Sequence, residues 1–182
     1  MQHYQILIVG TGFAGLGMAI RLKQQGITNF RLIERADEVG GTWRDNTYPG
    51  VACDVPSHLY SFSFIPNPHW SRVFPQGQEI QRYLVEACDT QGIREHIDFH
   101  TELQCATWQQ KAKQWRIETS KAEYTADFLI TATGHLADER LPEIAGIEDF
   151  DGQVMHSARW RHDIDLTNQR VAVIGSGASA IQ

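Results

Sequence analysis

The sequence is short of the features that mark several function classes. Its three cysteines, Cys53, Cys88 and Cys105, stand far apart and form no CxxC, so neither a disulfide framework nor a zinc site is indicated. No apolar run approaches the roughly 20 residues that a membrane-spanning helix needs. The opening, MQHYQILIVG, lacks the basic and long apolar parts of a signal peptide. Positive charge is scarce: 16 Lys and Arg face 22 Asp and Glu, for a net charge of -6, and no basic cluster offers a surface to nucleic acid or anionic membrane. The histidines His58, His69, His96, His100 and His162 have no metal-like spacing, and no metal is expected. A reduced, cytoplasmic chain that acts on small molecules fits these absences.

What is present is an ordinary globular composition, with 42% hydrophobic and 21% charged residues over 182 positions. That length accommodates one domain, or one domain and part of another. Residues 5–9 form an apolar run closed by glycine, and Leu16, Ala19, Ile20 and Leu22 then recur on one helical face. Residues 30–33 make a second strand that ends on Glu34 and Arg35, completing a βαβ unit. Residues 36–76 are rich in Gly, Pro, Asn and Ser yet hold Trp43, Tyr48, Tyr60, Phe62, Phe64, Trp70 and Phe74, which reads as a ligand-covering loop. Helical spacing returns over 78–90. Residues 103–108, 115–119 and 123–131 read as a β-meander, 136–151 as a connector, and 171–174 as the opening of another strand.

Gly10-Thr11-Gly12-Phe13-Ala14-Gly15 stands between the first strand and the first helix. In such a G-x-G-x-x-G turn Gly10 permits the tight bend, Gly12 lets a pyrophosphate approach the backbone, and Gly15 lets the helix pack closely. Glu34 follows near the spacing of about 20 residues at which a strand-end acid takes a ribose hydroxyl. Gly175-Ser176-Gly177-Ala178-Ser179-Ala180, after Val171 to Ile174, repeats the fingerprint in its G-x-G-x-x-A form. Two nucleotide sites in one chain point to electron transfer between cofactors.

The chain resembles the class B flavoprotein monooxygenases, the group of the Baeyer-Villiger and flavin-containing monooxygenases. The most specific part of the resemblance is residues 150–160, FDGQVMHSARW, similar to the family's FxGxxxHxxxW. Gly40-Gly41-Thr42-Trp43, then Tyr48-Pro49-Gly50 with Asp54, look like its GGTW and YPGxxxD elements, and Ala132-Thr133-Gly134 looks like its ATG strand end. The resemblance implies FAD at Gly10, Gly12, Gly15 and Glu34, and NADPH at Gly175, Gly177 and Ala180. It implies that Thr42, Trp43, Asp54 and Tyr60 line the flavin and that Leu103 lies on the strand whose backbone meets the adenine. Asp54 and His156 are the residues it implies nearest the chemistry, Asp54 as a flavin-site carboxylate and His156 as a transmitter of cofactor-dependent movement.

The expected architecture is an α/β, Rossmann-like doubly wound FAD-binding domain with an inserted β-meander, plus the first strand of a second Rossmann-like NADPH domain. Residues 1–150 would be the N-terminal part of the FAD domain, 151–169 the family motif and linker, and 170–182 the start of the NADPH domain. The implied reaction inserts one atom of O2 into a ketone, or into an amine or sulfide, through a C4a-peroxyflavin. Trp160 favours the ketone branch, whereas Thr47, where many members carry Arg, and Arg161, where Pro or Asp is usual, depart from it. The chain is expected to be an N-terminal piece without turnover of its own. A non-enzymatic FAD-binding fragment is the alternative; a disulfide reductase would need a redox cysteine pair, and none follows Gly41.

Overall fold

The computed structural model describes residues 1–182 and divides into two compact units. The first, residues 1–44 and 81–137, contains a six-stranded sheet. Its strands are β1 (Gln2–Val9), β2 (Phe30–Ile33), β3 (Ile97–Asp98), β4 (Leu103–Gln109), β5 (Gln114–Thr119) and β6 (Glu123–Thr131). The order across the sheet is β3-β2-β1-β6-β5-β4.

Strand β1 lies parallel to both β2 and β6, with Ile8 opposite Leu32 on one side and Ile130 on the other. Strands on both sides take up its backbone groups, and packing covers both of its faces. That is why Ile6, Leu7, Ile8 and Val9 run apolar without alternation, and all four are buried. Helix α1 (Phe13–Gln24) makes the crossover from β1 to β2 and buries Gly15, Leu16, Ala19 and Ile20. The meander is continuous with this sheet: β6 is the partner of β1 and carries β5 and β4 outward as antiparallel neighbours, with Trp108 facing Trp115. Short β3, which periodicity could not reveal in two residues, extends the other edge beside β2.

Between β2 and the next long helix lies a four-residue helix, α2 (Thr42–Asp45), and then α3 (Gly77–Thr90). Helix α3 buries Ile80, Tyr83, Leu84, Ala87 and Cys88. Burial pushes the Cys88 thiol up to about 11 and the Cys53 thiol upward as well, so neither is poised as a thiolate. No helix is long and apolar enough to cross a membrane.

The second unit, residues 45–80 and 138–182, is largely irregular. One bridge between Ala52 and Gln76 and hydrogen bonds from Cys53 N–H to the Pro75 carbonyl (2.9 Å) and from Ser57 N–H to the Val73 carbonyl (2.7 Å) hold its loop together. The expected strand at 171–174 is absent: these residues join no ladder, and Val171, Val173 and Ile174 are 57–67% exposed. A strand exists only through a neighbour that takes up its backbone groups, and no strand lies alongside this run. The helical turn after it does form, as α4 (Ala178–Ile181).

In the first unit, Asp98 ties three strands together. Its carboxylate accepts from Arg31 of β2 and from the Tyr124 hydroxyl of β6 at 2.8 Å. Burial alone would raise the Asp98 pKa, but Arg31 and Tyr124 outweigh it and hold the carboxyl below the usual range. Such a group stabilises the fold fully above its unfolded pKa of about 3.9 and loses that contribution as pH falls through the lower, folded value. Asp98→Asn is therefore expected to lower stability at neutral pH by about 1–3 kcal/mol. The gap to the parent should close in acid; urea unfolding from neutral to acid pH reads this, and a gap independent of pH would count against the ion pair.

Candidate functional site: a glycine turn and a buried carboxylate

The turn that leaves β1 is wedged between the ends of the neighbouring strands. Gly10 donates its N–H to the Ile33 carbonyl of β2 at 2.9 Å, and Ala132, just past β6, donates to the Val9 carbonyl at 2.8 Å. At Gly10 the backbone has φ +99°, and a Cβ there would come within 2.6 Å of the Ala132 carbonyl oxygen. Gly15 is more constrained still: its Cβ would sit 1.9 Å from the Gly10 carbonyl oxygen. Helix α1 thus rests on the turn backbone itself. Gly12 occupies the N-cap position and supplies no side-chain cap, which leaves the first N–H groups of α1 to an anion.

Glu34 follows β2 directly and is only 5% exposed. Its Oε2 accepts from the Thr11 N–H (3.1 Å) and the Thr11 hydroxyl (2.6 Å), while Oε1 accepts from the Ala36 N–H (2.9 Å). Arg44 completes the group with an ion pair of 3.1 Å to Oε1. The Glu34 backbone is fixed too, its N–H donating to the Asp98 carbonyl and its carbonyl accepting from Thr101 N–H. The expected acid therefore stands beside the expected fingerprint, joined to it through Thr11.

The second glycine pair belongs to the same place. Gly40 N–H donates to the Thr11 carbonyl at 3.0 Å, and a Cβ on Gly41 would meet the Gly12 Cα at 3.3 Å. Thr42 and Trp43 begin α2 immediately beyond, exposed and half-buried respectively. Leu103 begins β4, half-buried, two residues after Thr101.

In the second unit, Asp54 lies exposed in a bend and Tyr60 is half-buried, its N–H bonded to the Pro56 and Ser57 carbonyls. Gly175 and Gly177 are exposed and Ala180 is half-buried. His156 caps a 3-10 turn, Ser157–Arg159, by accepting from Ala158 N–H at its Nδ1 (3.1 Å), so its ring has a local structural task. The YPG element meets the second fingerprint here. The Tyr48 hydroxyl lies 3.1 Å from Ser179 Oγ and 2.8 Å from Gln182 Oε1, and Gln182 Nε2 donates to the Ala52 carbonyl at 2.8 Å. Thr47, one of the departures, is hydrogen-bonded to the His162 ring at 2.9 Å, and Arg161, the other, pairs with Asp163.

Sequence reasoning did not single out Thr11, Arg44, or Ser179 as a partner of Tyr48. Thr11 occupies a position that the fingerprint leaves free, so no signal marked it. Arg44 had one: a cation inside the glycine- and aromatic-rich loop, next to Trp43.

A family model described as pyridine nucleotide-disulphide oxidoreductase matches residues 7–182. A Baeyer-Villiger monooxygenase of Streptomyces coelicolor is 54% identical over 181 residues, which cover all of this chain and 35% of that protein. Among solved structures, an oxidized steroid monooxygenase bound to NADP superposes with a TM-score of 0.89 at 39% identity, over 100% of this chain and 36% of the other. A structure described as OTEMO in complex with FAD and NADP gives 0.89 at 34% identity, over 98% and 36%. The chain spans about a third of the length of the curated relatives it matches.

The glycine contacts set a measurable asymmetry between the two fingerprints. Gly15→Ala must push α1 off the Gly10 carbonyl and is expected to cost about 1–3 kcal/mol, as overpacking does. Ala180→Gly removes one methyl from a half-buried site and should move the melting temperature much less. Thermal unfolding of both variants checks this; equal shifts would contradict the packing described.

Proposed function

The chain belongs to the pyridine nucleotide-disulphide oxidoreductase family, and from that premise we propose that it is the FAD-binding N-terminal part of an NADPH-dependent flavin monooxygenase. The observation that carries this reading is the Gly10–Gly15 cradle with Glu34 behind it. Gly10 and Gly15 keep the turn tight because a Cβ at either would strike a backbone carbonyl, no side chain caps the first N–H groups of α1, and an acid stands at the end of β2, which suits a dinucleotide. When bound, FAD would supply the redox chemistry, linking oxidation of NADPH to reduction of O2 with one oxygen atom going to the substrate and the other to water.

The protein's part is binding, orientation and exclusion of water. Gly10, Gly12 and Gly15 bring backbone donors to the diphosphate, Glu34 takes the adenosine ribose, and Leu103 contributes backbone to the adenine. By the family motif, Thr42, Trp43, Asp54 and Tyr60 face the flavin, and Gly175, Gly177 and Ala180 receive NADPH. His156 is a positioning residue in this reading, since its ring orders the 157–159 turn next to Trp160. The substrate proposed is a ketone, oxygenated in the Baeyer-Villiger manner; the name of the Streptomyces coelicolor relative supports it, and an amine or sulfide is the other class. The cytoplasm is the setting proposed, in keeping with three free thiols. The domain assignment carried with this reading is 1–150 for FAD, 151–169 for motif and linker, and 170–182 for the NADPH side.

A specific observation favours reading this 182-residue chain as a flavin-holding part and not a complete oxygenase. The run before the second fingerprint, residues 171–174, has no sheet to support it. A dithiol reductase is disfavoured, since two of the three thiols are buried and no pair of them is bonded. The purified chain mixed with FAD is expected to give a protein-bound flavin absorbance that NADPH leaves unchanged in air. Bleaching and recovery on NADPH addition would establish a working second site; a chain that emerges colourless from gel filtration would sink the FAD assignment.

A further inference from the structure

We propose that Arg44 is a positioning residue of the FAD site, holding the Glu34 carboxylate in one orientation so that it accepts the 2′-hydroxyl of the adenosine ribose. The inference rests on the FAD reading above. Glu34 is only 5% exposed, and a carboxylate so far from water is costly unless it is hydrogen-bonded and paired. Its other donors, Thr11 N–H, Thr11 hydroxyl and Ala36 N–H, are neutral. The guanidinium of Arg44 is the cation set against it, 3.1 Å from Oε1, with the Arg44 side chain 15% exposed.

Arg44 is itself held in place. The same NH1 donates to the Glu38 carbonyl at 2.7 Å, and the Arg44 backbone N–H donates to the Gly41 carbonyl at 3.0 Å within the turn that packs on Gly12. The NH1 nitrogen therefore sits between a fixed carbonyl and the carboxylate, with one N–H available to each. The four donors fill the nominal acceptor positions of Glu34. The Thr11 hydroxyl, which can turn and accept instead, is the one that a ribose hydroxyl replaces. Without Arg44, the carboxylate loses the contact that fixes Oε1 and can turn away from the position in which it accepts a hydroxyl donor.

The test is a binding cycle on the chain, read by quenching of flavin fluorescence, with FAD and its 2′-deoxyadenosine analogue as ligands and the parent, R44M and R44K as proteins. R44M is expected to weaken FAD about 10-fold or more, the size of a lost charge-assisted hydrogen bond, while the analogue's affinity changes by less than about 2-fold. R44K should fall between. Equal weakening of both ligands, which a general loss of charge or packing would give, overturns the proposal, as does an R44M that binds FAD like the parent. If circular dichroism shows that R44M fails to fold, R44K decides by the same comparison, selective loss of FAD supporting the proposal and equal loss overturning it. A parent chain that binds no FAD overturns the FAD reading and this inference with it, whereas a parent that binds and an R44M that matches it overturn this inference alone.

Discussion

A carboxylate buried at the end of a strand is an obligation on everything around it, and Glu34 is the constraint from which the first unit is arranged. Thr11 reaches it from the β1–α1 turn, Ala36 from the residues after β2, and Arg44 from α2. Its backbone is bonded to Asp98 and Thr101, beside β3. Segments that are 23 residues apart in the case of Thr11 and Glu34 are thus brought to one point by the cost of leaving an anion unsatisfied in a dry place. The sheet supplies the rigidity for this. Asp98, held by Arg31 and Tyr124, carries the load from the far strands to the same corner.

The glycines work by the opposite means, through the absence of atoms. Gly15 lets α1 rest on the Gly10 carbonyl, and Gly12 and Gly41 let two turns pass at backbone contact. What this closeness achieves is a concentration of backbone N–H groups that no side chain caps, next to a buried acid. Such a turn can receive an anion without a basic side chain of its own, consistent with a chain whose net charge is -6.

The first unit was largely legible from the sequence because its elements advertise themselves. Buried Ile6 to Val9 read as an apolar run, the meander strands were bounded by polar turns, and the fingerprint stood between a strand and a helix with Glu34 near the expected spacing. What was not legible had a physical reason in each case. Two-residue β3 is too short for any periodicity. The strand expected at 171–174 has the right side chains, but a strand is a property of a pair, and Val173 and Ile174 remain 67% exposed with no partner ladder. Arg44 and Thr11 were missed because their value lies in one partner, Glu34, that stands elsewhere in the chain. The roles of Asp54, His156 and Tyr60 came from motif likeness, and distances within the second unit assign His156 a turn cap.

The two fingerprints also differ in what restrains them. The first is locked by strands on both sides and by a helix that cannot retreat without losing its seat on Gly10. The second, within the other unit, is tied by side chains: Tyr48 to Ser179, and Gln182 to the Ala52 backbone. A backbone ladder is cooperative, so the first turn can move only if the sheet opens. A few side-chain hydrogen bonds, each worth about 1 kcal/mol net, break one at a time. Of the two glycine turns, the one beside Glu34 is held by backbone ladders and the other by side-chain hydrogen bonds.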